Sequence, residues 1–158
     1  MSVISVYQKC LDKGLTIAFA ESMTGGGACH EMVRIEGASQ VVLGGMIVYQ
    51  KSLKEAWLDI DPSIINAHGV VSEKVSQMMA LSIKQKTNSS IGIGITGNAG
   101  PTTQDEHEGL VAYISIYQDE IYHDMKLIFE GLSRVEAIEQ TIASLYLKLD
   151  DILQNKSL

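Results

Sequence analysis

The residues with the clearest chemical potential lie in one Gly-rich turn, Ala20-Glu21-Ser22-Met23-Thr24-Gly25-Gly26-Gly27. A nucleophilic serine needs an exposed hydroxyl on a tight turn and backbone N–H groups close by to hold an oxyanion. Ser22 follows a short apolar run and precedes a helical pattern, which is the position such a serine requires. A plain capping role for Ser22 or Thr24, with glycines that only pack, fits the same residues. A second loop, Thr96-Gly97-Asn98-Ala99-Gly100-Pro101, also follows an apolar run. Gly-Asn and Gly-Pro are common turn pairs, so this loop by itself also reads as a simple turn. Ligands of α/β sheets collect at the carboxyl ends of strands, and two Gly-rich strand exits can face one crevice.

A serine hydroxyl also needs a base. Lys51, Lys54 and His68 are the candidates, and no Ser-His-Asp signature is visible. A lysine acts as a base only where burial or a neighbouring positive charge lowers its pKa. Lys51 and Lys54 stand three apart on a predicted helix, where each can be the other's neighbour and Trp57 can shield one. The alternative for both is an ordinary solvated lysine. His68 is expected at a helix C-terminus, where its charge complements the helix dipole. His30, His107 and His123 have no metal-ligand spacing, so neither a metal nor a cofactor is expected.

These residues must be positioned by a compact α/β framework. Residues 2–13 have amphipathic helical spacing closed by Gly14, and residues 15–20 form a first strand. A helix is predicted from Thr24 to Arg34, and a strand from Val41 to Tyr49 carries Gly44-Gly45 as a bulge or close-approach site. Residues 51–58 read as a short helix. Asp61 and Pro62 start the next, which stops near His68-Gly69, and Ser72 caps a longer one lined by Val75, Met79 and Ile83. In the strand Ser90–Thr96, isoleucines alternate with Gly92 and Gly94, leaving a face on which a helix or ligand can approach closely. Residues 110–117 and 121–129 form an antiparallel pair, with Ile121, His123, Met125, Leu127 and Phe129 on one face. Val135 to Leu149 define a C-terminal helix. The expectation is a single domain over residues 1–158: a three-layer α/β/α sandwich with a mixed sheet.

Of 158 residues, 46% are hydrophobic and 20% charged, an ordinary globular balance. The formal net charge of -7 argues against a nucleic-acid surface, while backbone N–H groups can still hold a small phosphate. No apolar stretch approaches the ~20 residues that span a bilayer, so no membrane partner is expected. The N-terminus lacks signal-peptide order, and the two cysteines suggest a reduced compartment; the expectation is cytoplasmic.

Four motifs together resemble the CinA C-terminal domain family, which includes stand-alone nicotinamide-nucleotide amidases. They are Ala20–Gly26, Gly45 through Tyr49 to Lys54, His68-Gly69-Val70-Val71-Ser72, and Thr96–Pro101. The resemblance implies hydrolysis of the carboxamide of nicotinamide mononucleotide to nicotinic acid mononucleotide and ammonia. It makes Ser22 the nucleophile and Lys54 the general base, with Tyr49 beside them. It also implies a nucleotide site built from Thr24, Gly25, Gly26, Gly45, Thr96, Gly97, Asn98, Ala99 and Gly100, and a homo-oligomer. The amides of Gly25 to Gly27 are offered to the phosphate or the oxyanion. Departures from the family pattern are Met23 for its cysteine, Lys51-Ser52-Leu53 before the base, and a short stretch 102–108 without its glycines and lysine. They keep two alternatives open: a catalytically silent nucleotide-binding or interaction module, and a serine hydrolase for another amide.

Overall fold

A computed structural model describes residues 2–103 and 109–154. The chain runs α1 (Ser2–Lys13), β1 (Ile17–Glu21), α2 (Gly27–Val33), a 3₁₀ turn (Ala38–Gln40), β2 (Val42–Ile47), α3 (Lys51–Leu58), α4 (Pro62–His68), α5 (Glu73–Thr87), β3 (Ile91–Gly97), β4 (Val111–Gln118), β5 (Ile121–Ile128) and α6 (Arg134–Gln154). The five strands form one sheet in the order β2-β1-β3-β4-β5. The first three are parallel and the last two antiparallel, giving the mixed sheet.

Side chains on successive strand residues point to opposite faces, and this alternation divides the core in two. Ile17 and Phe19 of β1, with Ile91, Ile93 and Ile95 of β3, pack against α1, α2 and α6. Ala18 and Ala20 face the other way, toward Leu58 of α3, Ile65 of α4 and Val75, Met79 and Ile83 of α5. Three layers follow directly.

Local chemistry sets most boundaries. The Leu15 N–H reaches back to the Cys10 carbonyl around Gly14, at φ +63°, the Schellman closure that a C′ glycine permits. The Asp61 carboxylate accepts from the Ser63 N–H with Pro62 in the first helical position, and Ser72 Oγ accepts from the Val75 N–H. Asp119 and Glu120, both at positive φ, turn β4 into β5.

Several boundaries differ from expectation: β1 runs Ile17–Glu21 rather than 15–20, β2 ends at Ile47 rather than Tyr49, and α6 continues to Gln154. The start of α2 is the one that bears on the site. The helix after β1 begins at Gly27 rather than Thr24. Gly25 and Gly26 hold φ +59° and +93°, left-handed values that a right-handed helix cannot include. Residues 22–27 instead form two consecutive turns, with the Gly25 N–H donating to the Ser22 carbonyl and the Gly27 N–H to the Thr24 carbonyl.

The strand glycines act as expected. In β2 the register slips so that Leu43 has no partner, a bulge beside Gly44. In β3, Gly92 and Gly94 let α5 lie against the sheet. A Cβ on Gly94 would sit 2.2 Å from the Ser76 carbonyl oxygen and 2.7 Å from the Ala80 nitrogen, both backbone atoms of α5. Gly94→Ala should therefore force the helix off the sheet and destabilise the fold by about 1–3 kcal/mol. Urea unfolding measures this, and an unchanged midpoint would show that α5 does not rest on Gly94.

Candidate active site

The register of the parallel strands decides what meets at their carboxyl ends. Glu21 pairs level with Ile95 on one side and Ile47 on the other. The next residues, Ser22, Thr96 and Val48, therefore leave the sheet side by side. The Ser22 N–H still donates to the Ile95 carbonyl, and the Val48 N–H donates to that of Glu21, so the three exits are tied together. Alternation then sends the adjacent side chains of Glu21 and Ser22 in opposite directions, Glu21 toward α2 and Ser22 toward α3.

Lys54 meets Ser22 from α3. It sits one turn into that helix and is 0% exposed, among the largest fully buried side chains of the protein. Its Nζ lies 3.1 Å from Ser22 Oγ, 2.8 Å from the Val48 carbonyl and 3.5 Å from the Tyr49 carbonyl. Burial away from water disfavours the ammonium and pulls its pKa down to about 8. The ammonium can donate to all three oxygens, and once the proton is lost the two remaining N–H groups keep the carbonyls while the lone pair faces the serine O–H. The drop from the ordinary 10.5 to about 8 corresponds to about 3 kcal/mol of folding free energy lost at neutral pH. A chain retaining such a group carries it against stability.

The other base candidates are elsewhere. Lys51 is a surface residue whose Nζ donates to Asn66 Oδ1 and faces Glu55, because position 51 lies on the outer side of α3. It does not lower the pKa of Lys54. Trp57 is half exposed and is not what covers the amine. His68 ends α4, as the dipole argument expects.

The glycine amides have a different role from the one expected. The Glu21 carboxylate is 1% exposed and fills the start of α2. It accepts from the N–H groups of Gly26 at 3.0 Å, Ala28 at 3.1 Å and Cys29 at 2.8 Å, and from Thr24 Oγ1 at 2.6 Å. With the Gly25 and Gly27 amides used in turns, none of these donors is open to a phosphate or an oxyanion. The motif contains Glu21, yet its role was not legible, because the sequence does not tell which way the side chain turns.

Tyr49 contributes its carbonyl to the lysine, while its phenol lies on the crevice rim and accepts from Arg134 Nη2 at 2.8 Å. Arg134 Nη1 donates to the Gly100 carbonyl at 2.8 Å, so one guanidinium joins the second loop to Tyr49, the second residue after β2. Together with Met23, Gly97, Asn98, Ala99 and Thr102 they enclose a small cavity of about 70 Å³. Thr96 Oγ1 donates to the Val70 carbonyl, and the Asn98 side chain donates to the Gly109 carbonyl. Gly45 does not join this crevice: it faces the α2 side, where a Cβ would meet the Phe19 carbonyl at 2.9 Å. The altered residues 104–108, His107 among them, lie outside the described residues.

The fold and this crevice define a class: a three-layer α/β/α domain with a buried serine–lysine pair where its parallel strands end. The family model of the CinA C-terminal domain matches residues 3–153, and the chain belongs to that family. It is 42% identical over 112 residues to a CinA-like protein of Koribacter versatilis, covering 70% of this chain and 27% of that relative. A CinA-like protein of Synechococcus sp. is 41% identical over 113 residues, again 70% of this chain and 27% of the relative. The chain thus spans about a quarter of the length of these curated relatives. Among solved structures, the CinA superfamily protein of Enterobacter cloacae superposes with a TM-score of 0.92 at 23% identity, covering 96% of this chain and 90% of that one. Competence damage-inducible protein A of Klebsiella pneumoniae gives 0.94 at 18% identity, covering 99% and 97%. These structural likenesses establish the fold.

Proposed function

We propose that this chain hydrolyses the carboxamide of nicotinamide mononucleotide, giving nicotinic acid mononucleotide and ammonia, with Ser22 as nucleophile and Lys54 as base. The observation that carries the reading is the 3.1 Å approach of a fully buried Lys54 amine to Ser22 Oγ. In the first step Oγ forms a bond to the amide carbon and its proton passes to Nζ, while the carbonyl π electrons move to oxygen. The oxyanion then collapses and the C–N bond breaks. Ammonia leaves with the proton that Nζ returns, and a nicotinoyl ester remains on Ser22. Water, deprotonated by the same amine, hydrolyses the ester. Arg134 supplies positive charge to the crevice and suits the phosphate, provided that it leaves Tyr49 and Gly100.

The closed contact between Arg134 and Tyr49 favours a second reading, a nucleotide-binding module without turnover. A cavity of about 70 Å³ is well below the roughly 300–1,000 Å³ of ordinary ligand sites, so substrate entry requires that contact to part.

Ammonia release as a function of pH tests the first reading. Lys54 must be unprotonated to accept the serine proton, so kcat/KM should rise tenfold for each pH step below about 8 and level off above it. A profile flat from pH 6 to 9 would remove Lys54 from the base role.

A further inference from the structure

We infer that Glu21 is a positioning residue for acyl transfer at Ser22, and that the N–H groups of Met23 and Thr24 are the oxyanion donors. The inference rests on Ser22 being the nucleophile, as proposed above, and extends it by naming what holds the developing negative charge.

Every buried N–H has to find a partner, and a donor left open beside a nucleophile is available to the reaction. From Ser22 to His30 the amides are assigned one by one. Ser22 donates to the Ile95 carbonyl, Gly25 to that of Ser22, Gly27 to that of Thr24, and His30 to that of Gly26. Gly26, Ala28 and Cys29 donate to the Glu21 carboxylate. Among the described residues, the Met23 and Thr24 amides are the two of this segment that donate to nothing. They are the two that follow the nucleophile, at a strand-to-turn exit where a substrate oxygen bonded to Ser22 would lie.

Glu21 keeps them there in two ways. Its carboxylate takes the Gly26, Ala28 and Cys29 amides at the start of α2, which fixes the path of the turn that carries Met23 and Thr24. It also accepts from Thr24 Oγ1 at 2.6 Å, which anchors the residue that bears one of the two donors. Met23 is pinned from the other side: it is buried, and its Sδ stands 2.4 Å from where a Cβ on Gly97 would be. The turn is thus fixed at both donor positions before substrate arrives, which is what electrostatic preorganisation requires. A carboxylate also excludes a second anion from the helix start, so the phosphate is left to the Arg134 side of the crevice.

Glu21→Gln tests this. The isosteric amide places an NH₂ group against backbone donors that need an acceptor, so the turn relaxes while the side-chain volume is kept. Two readouts are paired. The first is labelling of Ser22 by a fluorophosphonate, followed by intact-protein mass, since a phosphonyl oxygen needs the same donors whatever the natural substrate is. The second is kcat and KM for ammonia release from nicotinamide mononucleotide. Loss of one oxyanion donor generally costs 10²–10³ in rate, so labelling and kcat should each fall roughly 100-fold with KM within about threefold of wild type. Should Glu21→Gln fail to fold, Thr24→Ala carries the test: a fall of roughly tenfold is expected, restored by Thr24→Ser, which returns the hydroxyl to Glu21. Unchanged labelling in a folded Glu21→Gln protein, or no difference between Thr24→Ala and Thr24→Ser, overturns the inference. A raised KM at constant kcat also overturns it, because that would make the start of α2 a binding site. Wild-type protein labelled at Ser22 but releasing no ammonia would sink the substrate assignment and leave this inference standing. Failure of wild-type Ser22 to label removes the nucleophile and the inference together.

Discussion

Lys54→Met is expected to abolish amide turnover, lowering kcat at least about 10³-fold, while leaving the protein folded and no less stable at neutral pH. Loss of a positioned general base typically costs 10²–10⁴, and loss of one member of a nucleophile–base unit approaches the cost of losing the whole unit. Methionine suits the comparison because it is unbranched, apolar and adaptable enough to fill the buried channel that the lysine stem occupies. The stability half of the prediction has a sign that follows from linkage. The folded protein holds Lys54 with a pKa of about 8, whereas the unfolded chain has the ordinary 10.5. Below about pH 8 both states are protonated and the folded state bears the full cost of the buried charge. Between about 8 and 10.5 the folded state sheds the proton and the unfolded state keeps it, so wild-type stability rises with pH. The Met variant should therefore match or exceed the wild-type Tm at pH 7, with its relative advantage shrinking toward pH 10. A Tm clearly below wild type at pH 7, or turnover within tenfold, would show that Lys54 is a structural residue.

Ser22→Ala should remove turnover more completely, by about 10⁴-fold or more, because no acyl ester can form without Oγ. Its effect on binding separates it from a packing defect. Ser22 is 2% exposed and its backbone bonds to Ile95 and Gly25 do not involve the hydroxyl. The variant should thus keep the fold and still be thermally stabilised by the nucleotide, as any ligand that binds the folded state would do. Lys54 loses one of its three neighbours in this variant while keeping the Val48 and Tyr49 carbonyls. Residual ammonia release within a hundredfold of wild type would mean that the nucleophile is another group.

The fold was largely legible because local signals agreed with one another. Asp61-Pro62, Ser72, Gly14 and the glycines of β2 and β3 each serve where expected, since caps, closures and close approaches depend on neighbours in sequence or on one packed face. The start of α2 was not legible. Thr24 to Arg34 has helical composition, and only the left-handed φ of Gly25 and Gly26 shows that the first turn is something else. The Ser22–Lys54 pair was half visible: spacing left three candidate bases, the resemblance singled out Lys54, and α3 turns Lys54 inward and Lys51 outward. Glu21 and Arg134 were the hardest to assign. Their roles depend on partners across the tertiary structure, the helix start of α2 for one and the Gly100 carbonyl and Tyr49 hydroxyl for the other. Nothing in the spacing of a single sequence specifies those contacts.

The family and fold are established, and the chemistry turns on one buried dyad beside a small cavity that Ser22 and Lys54 do not themselves line. Its most direct test is wild-type protein incubated with nicotinamide mononucleotide at pH 8.5 or so, above the pKa of Lys54, with ammonia and nicotinic acid mononucleotide both quantified. The two products are expected in equal amounts over many turnovers. No ammonia above the Ser22→Ala background, with the nucleotide still raising the Tm, would contradict amide hydrolysis and leave a binding module in its place.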